Sequence, residues 1–138
     1  MHYSKAEMYD LSYEIIGSAI SVHKELGPGL LENVYHTCMK FELQNRNISF
    51  ESEVTIPVYY KGISMQTNLR CDLLIENRII VELKAVEKII PIHNAQLLSY
   101  MRLLEIPKGI IFNFNCANLN PDGIKSLVNN HFSELEEK

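Results

Sequence analysis

The sequence predicts an α/β fold, because its apolar residues recur first at helical spacing and, from about Ile48 onward, at strand spacing. Two helical segments are followed by three extended segments, a further helix and a further strand, in the order α-α-β-β-β-α-β. This order favours an α/β sandwich over a repeating βαβ array. No linker, internal repeat or low-complexity tract is visible, so one domain over residues 1–138 is expected.

The two N-terminal helices are predicted from their ends and from their apolar spacing. Ser4 to Glu7 forms a capping-box pattern, and Gly27-Pro28 closes a helix that begins near residue 4 and ends near residue 26. A second helix is expected from residue 29 or 30 to about residue 45. Its apolar stripe is expected to consist of Leu31, Val34, Cys38 and Phe41.

Strand signals dominate the middle of the chain. Alternation from residue 54 predicts a strand that ends in a hairpin turn at Lys61-Gly62, and Pro57 places this strand at an edge or a bulge. After Pro121 the pattern fits a short strand and a helix equally well. The remaining elements are strands over residues 69–75 and 79–84, joined by a turn at 76–78, a helix over 93–105 and a strand over 108–114.

Composition excludes several classes of protein. The net charge is −4, so contact with a nucleic acid would require a local basic patch or bound metal cations. Cys38, Cys71 and Cys116 are odd in number and widely spaced, which indicates reduced thiols and no disulfide framework. No signal peptide and no apolar run long enough for a membrane span is visible, so a cytoplasmic protein without a membrane partner is expected.

The stretch CDLLIENRIIVELKAV, residues 71–86, places charged side chains inside apolar strands. If residues 76–78 form a three-residue hairpin loop, Asp72 lies opposite Glu82, and Lys84 lies on the same strand face as Glu82. Two adjacent carboxylates repel each other unless a cation lies between them, and their oxygens suit Mg²⁺. An exposed face carrying a Glu-Lys pair and an unrelated Asp is the structural alternative, which the apolar neighbours on both faces make less favourable.

Asp72 followed by Glu82-x-Lys84 resembles the signature of the PD-(D/E)XK nuclease superfamily. Gly29-Leu30-Leu31-Glu32-Asn33-Val34-Tyr35 is similar to the motif that names the GxxExxY family of that superfamily, and His93 to Tyr100 is similar to its QxxxY helix. The resemblance covers the chain from about residue 10 and implies a restriction-endonuclease-like core, a mixed sheet flanked by helices. Cys71 departs from the pattern, because the superfamily name has Pro there.

The resemblance also implies roles for individual residues. Asp72, Glu82, the Leu83 backbone carbonyl and Glu32 would bind Mg²⁺ or Mn²⁺, and Lys84 would polarise the attacking water. Gln96 would assist catalysis, while Tyr100, His93 and Tyr35 would contact the substrate. Structural alternatives stay open for three of these residues: Glu32 as an exposed helical carboxylate, His93 as a helix cap and Tyr35 as a packing residue.

The expected function is metal-dependent hydrolysis of phosphodiester bonds in nucleic acid, with DNA as the expected substrate and a 5′-phosphate product by resemblance. A catalytically weak or inactive subunit of a larger assembly is the alternative, and a purely structural or dimer-forming protein is a third. A homodimer or another protein partner therefore stays open. A phosphate-binding rim could come from Lys24, Lys40, Arg70, Lys88 and Arg102, although scattered surface charge explains these residues equally well.

Overall fold

The computed structural model describes residues 3–137, so the predicted domain over 1–138 extends beyond the described residues at both ends. A five-stranded mixed sheet lies between helices on its two faces. The helices are α1 (Lys5–Leu26), α2 (Glu32–Asn45), α3 (Pro91–Leu104), α4 (Leu119–Asp122) and α5 (Asn130–Ser133). The strands are β1 (Phe50–Thr55), β2 (Val58–Tyr60), β3 (Ile63–Met65), β4 (Arg70–Ile75), β5 (Ile79–Lys84), β6 (Lys108–Asn113) and β7 (Ile124–Val128).

The sheet has the strand order β1-β4-β5-β6-β7, with β5 at its centre. Only the β5–β6 pair is parallel among the pairs of the described sheet, and α3 forms the crossover between these two strands. A parallel pair requires such a crossover, which places α3 against one face of the sheet. The predicted mixed α/β fold with flanking helices is confirmed.

Both faces of the central strands are buried, as the sequence predicts. Leu73 and Val81 face the layer formed by α1 and α2, whereas Leu74 and Ile80 face α3. Because side chains alternate along a strand, Asp72, Glu82 and Lys84 share the α3 face with Leu74 and Ile80.

Helix α1 has the predicted capping box. The N–H of Ser4 donates to the Glu7 carboxylate at 3.0 Å, and the N–H of Glu7 donates to the Ser4 hydroxyl at 3.2 Å. Gly27 follows the last helical residue with a φ of 69°, a conformation that glycine adopts without strain.

The predicted apolar stripe of α2 is correct only at Val34 and Cys38, which are half-buried. Leu31 and Phe41 are exposed, and the residues that α2 buries are Tyr35, Met39 and Leu43. The helix carries two apolar stripes, and packing against α1 and β5 buries the one that contains Tyr35.

The strand predicted from the alternation that starts at residue 54 and ends at the Lys61-Gly62 turn is divided in two. Pro57 has no N–H to donate, so β1 ends at Thr55, and β2 pairs with the additional strand β3 in a separate two-stranded sheet. The expected edge position is confirmed, because β1 borders the five-stranded sheet. In the C-terminal segment the strand alternative is confirmed by β7, which pairs antiparallel with β6. No helix within residues 3–137 is long and apolar enough to cross a bilayer.

Candidate functional site

At Asp72 and Glu82, hydrogen bonds between a carboxylate and the backbone replace the backbone pairing of β4 with β5. The register predicted from the 76–78 turn holds from Ile75–Ile79 to Leu73–Val81. Beyond that pair, the Glu82 carboxylate accepts the N–H of Asp72 at 2.7 Å, and the Asp72 carboxylate accepts the N–H of Leu83 at 2.8 Å. The two carboxylates therefore lie side by side, each held by the backbone of the opposite strand.

Glu82 is buried, with 6% of its surface exposed. Burial, and next the negative charge of Asp72, raise the pKa of the Glu82 carboxyl to about 8, although the Asp72 N–H and Lys84 act in the opposite direction. Burial and the same two carboxylates raise the pKa of the Cys71 thiol to about 12. A neutral buried thiol is unreactive, so Cys71 fills space beside the carboxylates.

Lys84 ends β5 on the same strand face as Glu82. Within residues 3–137 its ammonium group makes no direct ion pair, while its carbonyl accepts the N–H of Phe114 at 2.9 Å. Asn113, opposite Lys84 in the parallel register, accepts the N–H of Val86 at 3.0 Å and donates to its carbonyl at 3.0 Å. The backbone that follows Lys84 is thus fixed by a side chain that sequence reasoning missed. The sequence signal for Asn113 was a polar residue within the apolar strand β6.

Glu32 is the first residue of α2 and lies within electrostatic range of Asp72 and Lys84. Loss of water around part of its side chain, and next the charge of Asp72, raise the pKa of the Glu32 carboxyl. The structure therefore brings a third carboxylate towards the pair from the opposite helical layer.

Tyr35 packs in the core and fixes the loop before Glu32. Its ring stacks on Phe114 with the centroids 4.4 Å apart. Its hydroxyl donates to the Gly27 carbonyl at 2.7 Å and accepts the N–H of Leu30 at 3.1 Å. Because this hydroxyl already has two backbone partners, the structure gives Tyr35 the packing role that the sequence left open.

Helix α3 packs on the sheet face that carries Asp72 and Glu82, and it brings Tyr100 within electrostatic range of both carboxylates. Burial, followed by the charges of Glu82 and Asp72, raises the pKa of the Tyr100 phenol. Gln96 is exposed one turn earlier on the helix. The imidazole Nδ1 of His93 accepts the N–H of Ile90 at 3.1 Å, so His93 caps α3. Within residues 3–137 no hydrogen bond joins Gln96 or His93 to the carboxylates.

Glu53 on the edge strand is a second residue that sequence reasoning missed. The β1–β4 register is the same on both sides of it, with Ser52 opposite Leu73 and Val54 opposite Cys71, so Glu53 lies opposite Asp72. Its φ of 53° is left-handed, which costs about 1–2 kcal/mol for a residue with a Cβ. This conformation interrupts the β1–β4 ladder at Asp72, whose N–H bonds the Glu82 carboxylate. No local sequence pattern marks such a residue.

The donor set fits a hard divalent cation that keeps part of its water shell. The buried Glu82 and the half-buried Asp72 supply carboxylate oxygens, and burial, followed by the charge of Asp72, raises the pKa of Glu82. Within residues 3–137 no three Asp, Glu, His or Cys side chains converge into a complete cage. Mg²⁺ binds through one or two carboxylates and retains several waters, so a pair of carboxylates matches its needs.

Comparison with known proteins identifies the family of the chain. The family model described as the PD-(D/E)XK nuclease superfamily matches residues 9–126, which include every residue of the site. No curated protein and no solved structure matches the chain. Nucleases of this superfamily generally use divalent metal ions and act on nucleic acid. The match spans most of the sequence, and the chain therefore belongs to the PD-(D/E)XK nuclease superfamily.

Proposed function

We propose that the protein is a metal-dependent nuclease that hydrolyses phosphodiester bonds, with DNA as the substrate. The observation that carries this proposal is the pair of hydrogen bonds in which the Glu82 carboxylate accepts the N–H of Asp72 and the Asp72 carboxylate accepts the N–H of Leu83. These bonds hold the buried carboxylate of Glu82 beside the half-buried carboxylate of Asp72. Such an arrangement is costly without a cation, and a structural role alone gives no reason to retain it.

Asp72, Glu82 and the Leu83 carbonyl are the proposed metal ligands, with Glu32 as an additional carboxylate. The N–H of Leu83 donates to the Asp72 carboxylate on β4. The N–H and the carbonyl of one strand residue face the same neighbouring strand, so the Leu83 carbonyl also faces β4, which supports its role as a ligand. A bound Mg²⁺ or Mn²⁺ would polarise a phosphate oxygen and lower the pKa of a bound water. The two carboxylates and the Leu83 carbonyl would hold such an ion, which would supply this chemistry.

Lys84 is the proposed catalytic cation. Its ammonium group is not consumed by an ion pair with a described residue, so it can bind a phosphate oxygen and stabilise the negative charge that develops there. Asn113 positions Lys84 by fixing the backbone at Val86. Tyr100 is proposed to orient a water or a phosphate oxygen from α3. Gln96 and His93 would join it only by contact with a bound substrate.

We also infer that the chain is a member of the GxxExxY group. Each named position has a physical reason here. Gly29 has a φ of 98°, the exposed Glu32 lies within electrostatic range of Asp72, and Tyr35 ties the loop to the end of α1. The motif would thus hold the third carboxylate in place.

A cleavage screen tests the proposal. Labelled single-stranded DNA, duplex DNA and RNA are incubated with Mg²⁺ or Mn²⁺ and the wild-type protein, Lys84→Ala or Lys125→Ala. Lys125 is the matched control, because it is an exposed lysine on the edge strand β7. We expect cleavage of at least one substrate that EDTA and Lys84→Ala abolish and Lys125→Ala preserves. Cleavage that persists in Lys84→Ala contradicts the catalytic assignment, and cleavage only with an added partner protein favours the subunit alternative.

A further inference from the structure

The β2–β3 hairpin is an arm that stands apart from the five-stranded sheet. Lys61 and Gly62 form its turn with φ values of 52° and 78°, as a two-residue type I′ turn requires. Residues on one side of the ribbon are apolar or aromatic, since Val58 pairs with Met65 and Tyr60 with Ile63. Both strands are mostly exposed, although an isolated two-stranded hairpin is marginally stable in water.

The arm displays large apolar side chains to solvent. The exposed fractions are 67% for Tyr59, 60% for Tyr60 and 62% for Ile63. Tyr59 and Tyr60 are neighbours in the strand, so their rings lie on opposite faces of the ribbon. Clustered exposure of this kind marks a binding surface.

The segment that contains the arm is also free of acidic residues. Residues 54–71 include Lys61 and Arg70 but no Asp or Glu, so their formal charge is +2 in a chain whose net charge is −4. All 17 acidic residues therefore lie outside this stretch. The Nζ of Lys61 lies 5.5 Å from the Tyr60 ring centroid, which places a cation beside an exposed aromatic ring. This local composition is complementary to a polyanion that carries aromatic bases.

The base of the arm adjoins the strands β1 and β4 next to Asp72. The N–H of Ile56 donates to the Leu69 carbonyl at 2.8 Å at its base, three residues before Asp72. Within the sheet, Val54 pairs with Cys71, the residue next to Asp72. The base of the arm is therefore continuous with β4, the strand that carries Asp72.

We propose that the β2–β3 hairpin binds unpaired nucleotides and delivers a single-stranded segment to the site. Where the strand crosses the edge of the arm, Tyr60 stacks on a base at one face and Tyr59 on a base at the other, and Lys61 binds a backbone phosphate. A ribbon that reads the major groove needs hydrogen-bonding side chains towards the bases, whereas this ribbon presents Tyr60, Ile63 and Met65 there. The inference rests on the proposed nuclease function and names its substrate class.

Binding without cleavage tests this proposal. Fluorescence anisotropy in EDTA measures the affinity for a labelled oligothymidylate of about 20 nucleotides and for a duplex of equal length. Tyr59→Leu and Tyr60→Leu keep apolar area but remove the ring, and Tyr13→Leu is the control, because Tyr13 is a 76% exposed tyrosine on α1. Each hairpin variant is expected to bind the single strand roughly 10-fold more weakly, while Tyr60→Phe and the control retain wild-type affinity.

The salt dependence gives a second readout. Lys61→Gln is expected to lower the slope of log affinity against log salt by about 0.7, the value for one phosphate contact to a single strand. Unchanged affinity in both tyrosine variants, or duplex binding as tight as single-strand binding, overturns the proposal. So does a homodimer, seen by sedimentation, that Tyr60→Leu dissociates, because the arm would then bind a second copy of the chain.

Failure of the arm and failure of the nuclease function remain distinguishable. If cleavage depends on Lys84 but the tyrosine variants bind like the wild type, nucleotide binding by the arm is refuted and the nuclease function is supported. Ring-dependent binding without metal-dependent cleavage supports the arm and refutes hydrolysis.

Discussion

Replacement of Glu82 by glutamine is expected to remove a large pH dependence from the stability of the metal-free protein. The folded-state pKa of Glu82 is raised from 4.5 to about 8 by burial and by Asp72. Between these values the unfolded chain releases a proton that the folded protein retains. The contribution of Glu82 is therefore fully present below about pH 4.5, falls as pH rises towards about 8 and is constant above that.

The size of the effect follows from the shift. A difference of about 3.5 pKa units, from 4.5 to about 8, corresponds to about 5 kcal/mol at 1.36 kcal/mol per unit. Water penetration and relaxation around an ionised buried group reduce such penalties, so we expect about 2–5 kcal/mol. The amide oxygen that Glu82→Gln introduces would still accept the N–H of Asp72, which leaves the backbone arrangement intact.

Urea denaturation in EDTA at about pH 5 and about pH 8.5 measures this difference. Relative to the wild type, Glu82→Gln is expected to gain free energy of unfolding mainly at the higher pH and only slightly at about pH 5. Glu51→Gln, a change at an exposed carboxylate of β1, is the matched control and should leave the profile unaltered. Parallel pH profiles for the wild type and Glu82→Gln would refute the reasoning.

Three further substitutions test the surroundings of the site by urea denaturation. Tyr35→Phe should lower the free energy of unfolding by about 1–2 kcal/mol, since a carbonyl and an N–H lose their partner; no loss would contradict its positioning role. Gly109→Ala should cost about 1–3 kcal/mol, because a Cβ there would lie 2.7 Å from the Leu97 side chain; a neutral result would mean that α3 can shift freely. Glu53→Gly should raise stability by up to about 1 kcal/mol relative to Glu53→Ala, and equal stabilities would argue against a left-handed residue there.

The strands of the site were predictable because local signals agree with one another. The turn at 76–78 and the apolar residues on both faces fix the β4–β5 register, which places Asp72 beside Glu82. The hydrogen bonds that each carboxylate accepts from the opposite backbone were not predictable. The interruption of the edge ladder at Glu53, opposite Asp72, was not predictable either, because no local pattern marks it.

The buried face of α2 could not be predicted from the sequence. In α2 two apolar stripes compete, and only contacts with α1 and β5 decide that Tyr35 is buried and Phe41 exposed. Asn113 was missed for a related reason, because its partners at Val86 are 27 residues away in sequence. Local periodicity carries no information about such contacts.

Calorimetric titration with Mn²⁺ tests most directly whether Asp72 and Glu82 hold a cation together. The comparison is between the wild type and Asp72→Asn, in which the amide oxygen can still accept the N–H of Leu83 but the charge is lost. We predict one binding site in the wild type and at least a roughly 10-fold weaker affinity in the variant. Equal binding by the two proteins, or no binding by the wild type, would contradict the proposed metal site.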